Sequence, residues 1–312
     1  MKILNIFLLV SVFIFSQGCN NKVEKEPLKI AFIDWIGFQT LTIAKRNNLF
    51  GGAIDIHELP SASEVQRLFR NDLLDGAAMT LDEAITLYSY RKDIEVVLVI
   101  DSSMGADALV ANKEIKSISD IKNKRIGYES NAVGALMLSQ VLKKANLKLK
   151  DINPVSVEYN GHFKAYNDKK VDAIITFEPI KSKIMDKGAH SIFDSSMIPN
   201  MILDVLVVKK SLVKADDPRL KKLINGYFKA LNLLESDDYL VKRYNISRAR
   251  LNRIYKEVDM FSKEENVYIF SDNRLLQSAK RIYRVMLNNK LINESNLDMR
   301  DLINIKKFRV IE

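Results

Sequence analysis

The chain is short of the residue types that most often carry chemistry. Cys19 is the single cysteine among 312 residues, so no internal disulfide can form and thiol catalysis has no candidate in the body of the protein. The three histidines, His57, His162 and His190, are scattered and lack the His-Glu-x-x-His spacing of a metal-binding helix. There is no Gly-x-Ser-x-Gly elbow and no phosphate loop ending in Gly-Lys-Ser/Thr. With only 11 glycines and 6 prolines, a fibrous or low-complexity chain is excluded. After Phe15 no long apolar run recurs, so nothing later in the chain reads as a membrane span. The formal charge is +9, densest after Lys209, but no basic run interleaves with aromatics, and no nucleic-acid partner is expected. That surplus reads as a solvated face, or as one that meets an anionic membrane or a transporter partner. Hydrophobic content is 47%, enough for real cores, and the length suggests two domains at about 100–200 residues each.

The N-terminus carries an address. Lys2 precedes an almost wholly apolar stretch from Ile3 to Phe15, interrupted by Asn5 and Ser11 and followed by Ser16-Gln17-Gly18-Cys19. A charged start, a short apolar core and a small residue before a cut make an export signal over residues 1–18. The core is too short for a bilayer, which needs roughly 20 apolar residues. The segment resembles the lipobox of bacterial lipoproteins, in which the cysteine becomes the lipid-bearing first residue. Gly18 fits that pattern, while Ser16 stands where Leu is preferred. The expectation is lipid attachment at Cys19, a polar tether over residues 19–27, and a mature protein on the periplasmic or cell-surface side of a bacterial membrane. An ordinary cleaved signal with an incidental cysteine is the alternative. Either location disfavours functions that need ATP, NAD or the genome.

From Leu28 to Lys210, short β-branched runs alternate with helical stretches. Strands are expected at Leu28–Ile33, Ile54–Leu59, Gly76–Met79, Glu95–Ile100 and Ala108–Ala111, with helices at Gly37–Asn47, Ala62–Asn71 and Leu81–Arg91 between them. A second series follows: strands at Arg125–Glu129, Val155–Tyr159, Ala173–Thr176, Ser191–Phe193 and Asp204–Lys209, and a helix at Ala132–Ala145 whose Val133, Leu136, Met137 and Val141 share one face. Everything after Asp216 reads as helix. This is an α/β rhythm: two lobes, each a mainly parallel sheet flanked by helices, with a C-terminal helical tail. The expected lobe 1 comprises residues 28–111 and 205–312, and lobe 2 residues 112–204.

Several junctions carry a family resemblance. Asp34-Trp35-Ile36-Gly37-Phe38, Leu59-Pro60-Ser61-Ala62-Ser63, Asp75-Gly76-Ala77-Ala78-Met79-Thr80, the run Ser102 to Val110, Lys124-Arg125-Ile126-Gly127-Tyr128, Asn131-Ala132-Val133-Gly134 and Phe177-Glu178-Pro179 occur in order. This ordered set resembles the nitrate/sulfonate/taurine substrate-binding family, which includes receptors for thiamine-precursor pyrimidines. The resemblance implies a periplasmic-binding-protein type II fold. It also implies a monomeric, non-enzymatic solute receptor, without a cofactor or metal, that serves an ABC importer permease.

The residues themselves suit such a use. In open α/β sheets ligands bind beyond the carboxyl ends of the strands. Those ends carry Asp34, Trp35, Ser61, Thr80, Ser102, Asn131 and Glu178, and Phe38 and Asp204 join them as candidate ligand contacts. Ser61-Ala62-Ser63-Glu64 and Thr80-Leu81-Asp82-Glu83 fit capping boxes, and Asn131 fits the cap of the helix at Ala132. Each such start can hold an anionic group or simply serve its helix. Ala132 and Val133 are small enough to let a ligand approach their backbone N–H groups. Trp35 is either a stacking wall or a core anchor. Glu178 either orders a hinge or pairs with a ligand amine. Asp34, Asp82, Asp107 and Asp204 complete an acidic set that repels a multiply charged anion and suits a cationic or hydrogen-bond-donating ligand, such as an amine or aminopyrimidine. A sensor-coupled receptor of the same fold is a further alternative. A pyrimidine-synthase-like enzyme is a weaker one, since the cysteine-rich signature of those enzymes is absent.

Overall fold

The structure is a computed structural model and describes residues 25–130 and 133–303. The expected signal and Cys19 lie outside these residues, as do Asn131 and Ala132. In chain order the strands are β1 (Leu28–Ile33), β2 (Ile54–Leu59), β3 (Gly76–Thr80), β4 (Ile94–Ser103), β5 (Asp107–Ala111), β6 (Arg125–Tyr128), β7 (Asn153–Ser156), β8 (Ala173–Phe177), β9 (His190–Asp194), β10 (Leu203–Lys209) and β11 (Val258–Met260). The first sheet runs β11-β4-β10-β3-β1-β2 and the second β7-β6-β8-β5-β9. Each sheet has a parallel half, β2-β1-β3 and β7-β6-β8. The other half of each is antiparallel, where β10 and β5 insert beside strands of the opposite direction.

The helices that cover these sheets begin with α1 (Gln39–Arg46), α2 (Ala62–Arg70) and α3 (Leu81–Tyr90) in the first lobe. The second lobe has α4 (Val133–Ala145), α5 (His162–Asn167) and α6 (Ile180–Met185). The tail comprises α7 (Lys210–Lys214), α8 (Pro218–Leu231), α9 (Tyr239–Tyr244), α10 (Arg248–Tyr255), α11 (Lys263–Ser271), α12 (Arg274–Asn288) and α13 (Met299–Leu302).

Two boundaries differ from the sequence expectation. The strand at Asp107–Ala111, assigned above to lobe 1, pairs with β8 and β9 in the second sheet. The chain therefore changes lobe before β5, between Ser103 and Asp107, rather than at Asn112. Its side chains explain the placement: Leu109 and Ala111 enter the large core, while Ala108 and Val110 enter a separate cluster with Val171, Ile174 and Ile184. Both faces of β5 are thus covered, as expected of a central strand. Gly105, with φ +128, makes the turn that carries the chain across. Asp204, expected as the last residue of lobe 2, lies inside β10 in the first sheet, so the return crossing falls between Asp194 and Leu203.

The tail is not wholly helical, because β11 pairs antiparallel with β4. Three residues are too few to give a strand pattern, and the β4 edge supplies the partner groups. The docking is sequence-specific. Asn266 on α11 is fully buried, and its side chain accepts from the Val99 N–H at 2.8 Å and donates to the Val99 carbonyl at 2.9 Å. The pairing of β4 with β10 skips Ile100, a bulge in the ladder. The Ile100 carbonyl accepts instead from the Phe261 N–H at 3.0 Å and the Tyr227 hydroxyl at 3.2 Å. Replacing Asn266 with Ala strands both backbone groups of Val99. The expected loss is about 2–6 kcal/mol, at about 1–3 kcal/mol for each of the two buried groups left unsatisfied, read by urea denaturation. A loss below about 1 kcal/mol would show that α11 is held by apolar contacts alone.

Candidate functional site

The two lobes meet along a seam formed by the carboxyl ends of the parallel strands and of β4 and by the amino ends of β5 and β10. The bulge at Ile100 re-aims β4, so that Asp101 stands directly opposite Asp204 of β10, which in turn faces Thr80 of β3. Thr80, Asp204 and Asp101 thus form a row across three adjacent strands. Like charges directly opposite in a sheet repel. Burial and the neighbouring carboxyl push Asp204 well above the usual carboxylate range, and burial also raises Asp101. Both carboxyls are thus held toward their protonated forms.

Trp35, just after β1, donates its indole N–H to Asp101 Oδ2 at 3.1 Å. Gly37 makes room for this contact. A Cβ there would lie 2.0 Å from Asp101 Oδ2 and 2.7 Å from the indole nitrogen. The same indole meets the edge of Phe177 from β8, with ring centroids 5.6 Å apart, and so ties the two lobes. Phe177 in turn stacks on Tyr159 at 4.3 Å. The Tyr159 hydroxyl donates back across the seam to the Asp34 carbonyl at 3.0 Å. Further bridges are Ser63 to Glu158 at 3.0 Å and Arg250 to Asp186 at 2.8 Å. The lobes are therefore closed on each other.

The seam is acidic and buried. Asp82, Glu83, Asp101, Asp107, Glu129, Glu178 and Asp204 are each at most 4% exposed. Lys181 is the only buried cation among the described residues. Its ammonium is committed to Glu257 at 2.5 Å and the Gly105 carbonyl at 2.9 Å, with Glu178 at 3.9 Å. Burial drives Asp107 up to about 7 against an ordinary 3.8, and Glu129 up to about 8 with Glu158 adding repulsion. For Asp107 this corresponds to about 4 kcal/mol opposing its ionised form in the closed arrangement. Glu83 is raised by burial and by Asp82 and Glu129; Asp82 is raised by burial.

The expected site residues divide into groups. Trp35, Thr80, Asp82, Asp107 and Asp204 come together at the seam. Asp34 lies at its rim, where it accepts from the Tyr244 hydroxyl at 2.6 Å and Gln39 at 2.9 Å and pairs with Arg243 at 3.3 Å. Glu178 serves the start of α6, accepting from the Ser182 hydroxyl at 2.9 Å and the Ser182 N–H at 3.3 Å, contacts within the second lobe. Phe38 is a core residue, edge-on to Phe32 at 6.3 Å. Ser61 caps α2, accepting from the Glu64 N–H at 3.3 Å, but Glu64 turns to Arg67 at 2.9 Å instead of completing the box. At Thr80, Glu83 accepts from the backbone N–H at 3.1 Å. Val133 opens α4 with its side chain in the core, while Asn131 and Ala132 lie outside the described residues.

Sequence reasoning missed Asp101, Tyr159, Phe177 and the Lys181–Glu257 pair. Asp101 had a signal, a charge directly after the apolar run Val96 to Ile100. Tyr159 had none, since it was read as part of a strand that in fact ends at Ser156.

Comparison with known proteins places this architecture. Residues 73–236 match the family described as NMT1/THI5 like, a little over half of the chain. A putative binding protein of Brucella abortus (strain 2308) is 23% identical over 185 residues, and that match covers 56% of this chain and 58% of the relative, so the chain spans under two thirds of its length. Among solved structures, the alkanesulfonate-binding protein SsuA from Xanthomonas axonopodis pv. citri bound to MOPS superposes with a TM-score of 0.72 at 16% identity, covering 90% of this chain and 97% of that one. The desulfurization enzyme DSZB superposes with a TM-score of 0.65 at 13% identity, covering 92% and 99%. The shared fold is the two-lobed periplasmic-binding-protein architecture, here with a mixed sheet in each lobe and a helical tail. The chain belongs to the NMT1/THI5-like family.

Proposed function

We propose that this chain is an extracytoplasmic lipoprotein receptor that closes on a small molecule between its two lobes and passes it to an ABC importer. The observation that carries the reading is the row Thr80, Asp204 and Asp101, with Trp35 beside it, set at strand ends where two hinged lobes meet. Ligands of α/β sheets bind at such ends. Two connections join the lobes, one through Gly105 and one between Asp194 and Leu203, which is the arrangement that hinge closure requires. A ligand that gains contacts only in the closed form shifts the equilibrium toward it, and an importer can read that form. A non-enzymatic role is favoured by the state of His162. Burial lowers it to about 4, and both ring nitrogens are engaged, by the Thr176 hydroxyl at 3.1 Å and the Val157 carbonyl at 3.2 Å. No helix among the described residues is long and apolar enough to cross a membrane.

A thermal-shift screen of the mature chain against sulfonates, pyrimidines, amines and small carboxylates tests the reading. A binder at 100 times its dissociation constant should add about 2.7 kcal/mol of stability; silence from every class would overturn it. Trp35→Ala should weaken that binder at least tenfold while leaving the far-ultraviolet circular dichroism unchanged, and full-strength binding would make Trp35 a core anchor only. Cys19→Ser should move the protein from the membrane fraction to the soluble one, whereas unchanged fractionation would mean another anchor.

A further inference from the structure

We infer that the ligand of this seam is an organic cation, and that its binding expels protons held by the carboxyl row Asp101–Asp204 and by Asp82. The inference rests on the receptor reading above and names the chemical class that the site takes. Three observations carry it. First, Asp82 Oδ1, Asp101 Oδ1 and Asp204 Oδ1 are buried and accept from no N–H or O–H of the described residues. Second, seven acids line the seam against one buried cation, and Lys181 is already spent on Glu257 and the Gly105 carbonyl. Third, Trp35 of one lobe packs against the stacked Phe177 and Tyr159 of the other, each at most 5% exposed, so parting the lobes uncovers ring surface on which a planar or alkylated cation gains cation–π attraction. The carboxyls are strung along three strands and the start of α3. Among the described residues no three acids, histidines or cysteines converge on a point where a metal ion would sit. An extended organic cation fits this layout, whereas a sulfonate would meet these carboxyl oxygens with the Thr80 hydroxyl as the one unpartnered donor of the row.

The groups facing the row fix the sign of the pH dependence. Asp101 is faced by Asp204, Trp35, Asp259, Tyr227 and Tyr255; Asp204 by Asp101, Asp107 and Glu83; Asp107 by Ser103, Asp101, Asp82 and Lys181. Glu83 faces Asp82 and Glu129, and Glu129 faces Glu158, Tyr159 and Asp107. The positive charges are Lys181 and, toward Tyr255, Arg248. A carboxyl whose value is raised in the closed form favours that form when protonated. Ligand-free closure therefore strengthens as pH falls through the raised values toward the ordinary carboxylate range. A bound cation supplies the charge that the protons supplied, and each displaced proton passes to solvent.

The test titrates the mature chain with matched panels: alkyl- and arylamines, amidines and aminopyridines against alkyl and aryl sulfonates of the same size. Cations should bind and sulfonates should not. Affinity should rise about tenfold per pH unit for each proton displaced between pH 5 and 7. Calorimetry at pH 6 in buffers of unlike ionisation enthalpy should count at least one proton released per ligand. Asp204→Asn, an isostere of the protonated acid, should leave the ligand-free melting temperature at pH 6 unlowered. It should also weaken the best cation at least tenfold and remove about one proton from the count; Asp82→Asn supplies the same readouts should Asp204→Asn fail to fold. Preferred binding of a sulfonate, a flat or falling pH profile for cations, or an unchanged proton count in the Asn variants would overturn the inference and leave the receptor reading standing. No binder in either panel would overturn both.

Discussion

Two carboxyl groups face each other across β4 and β10, and most of the seam follows from that confrontation. Asp101 and Asp204 are register partners with almost no solvent contact. Neither can ionise cheaply beside the other, and the Trp35 indole N–H satisfies only one of their four oxygens. A pair in this state is stable when it shares a proton, or when a positive group arrives from outside the protein. The second lobe adds Asp107 and Glu129 to the same region, and its buried cation there, Lys181, is taken up by Glu257 and the Gly105 carbonyl. A chain with 48 lysines and arginines had ample means of placing a further one here. The arrangement is costly to folding, and such costs are tolerated mainly where function requires them.

The rest of the fold can be read as what holds this pair in place. The bulge at Ile100 sets the register that brings Asp101 opposite Asp204, and it leaves a backbone carbonyl outside the ladder. The tail supplies that carbonyl with Tyr227 and Phe261, and it clamps the neighbouring Val99 with Asn266. On the other side, Gly37 gives up its side chain so that indole and carboxylate can touch. Three distant segments, each unremarkable alone, therefore converge on one strand end. The tail helices are a brace for the site as well as a cover for the first sheet.

The backbone architecture was largely legible in the chain. Apolar runs such as Leu28–Ile33 and Ala173–Phe177 and the 3–4 spacing of Val133 to Val141 mark their elements, because burial on both faces leaves a continuous apolar signature. What local pattern cannot reveal is partnership. β5 looks the same whether it joins the first sheet or the second, and β11 is a strand only because β4 offers an edge. The site was legible in the same uneven way. The acids at strand ends stood out as charges in apolar surroundings, but Tyr159, Phe177 and Lys181 matter through contacts that cross from one lobe to the other. Glu64 shows the limit of a motif. It completes the capping-box pattern in sequence, yet its carboxylate turns to Arg67, three residues along on the same helix.

A shared scaffold does not carry a shared ligand, and the physics of this seam explains how they can part. The fold fixes where strand ends and helix starts converge, and those backbone features alone favour an anion, through exposed N–H groups and the positive end of the helix dipole. Side chains decide whether that tendency survives. At α3, Asp82 and Glu83 fill the first turn, and Glu83 takes the Thr80 N–H for itself. The helix start that could have gripped an anion is thus neutralised from within. With Asp101, Asp107 and Asp204 added, the local field has the opposite sign to the one the backbone would impose. Within one architecture, then, a few carboxyls at strand ends are enough to oppose the field that the backbone alone would set between the closed lobes.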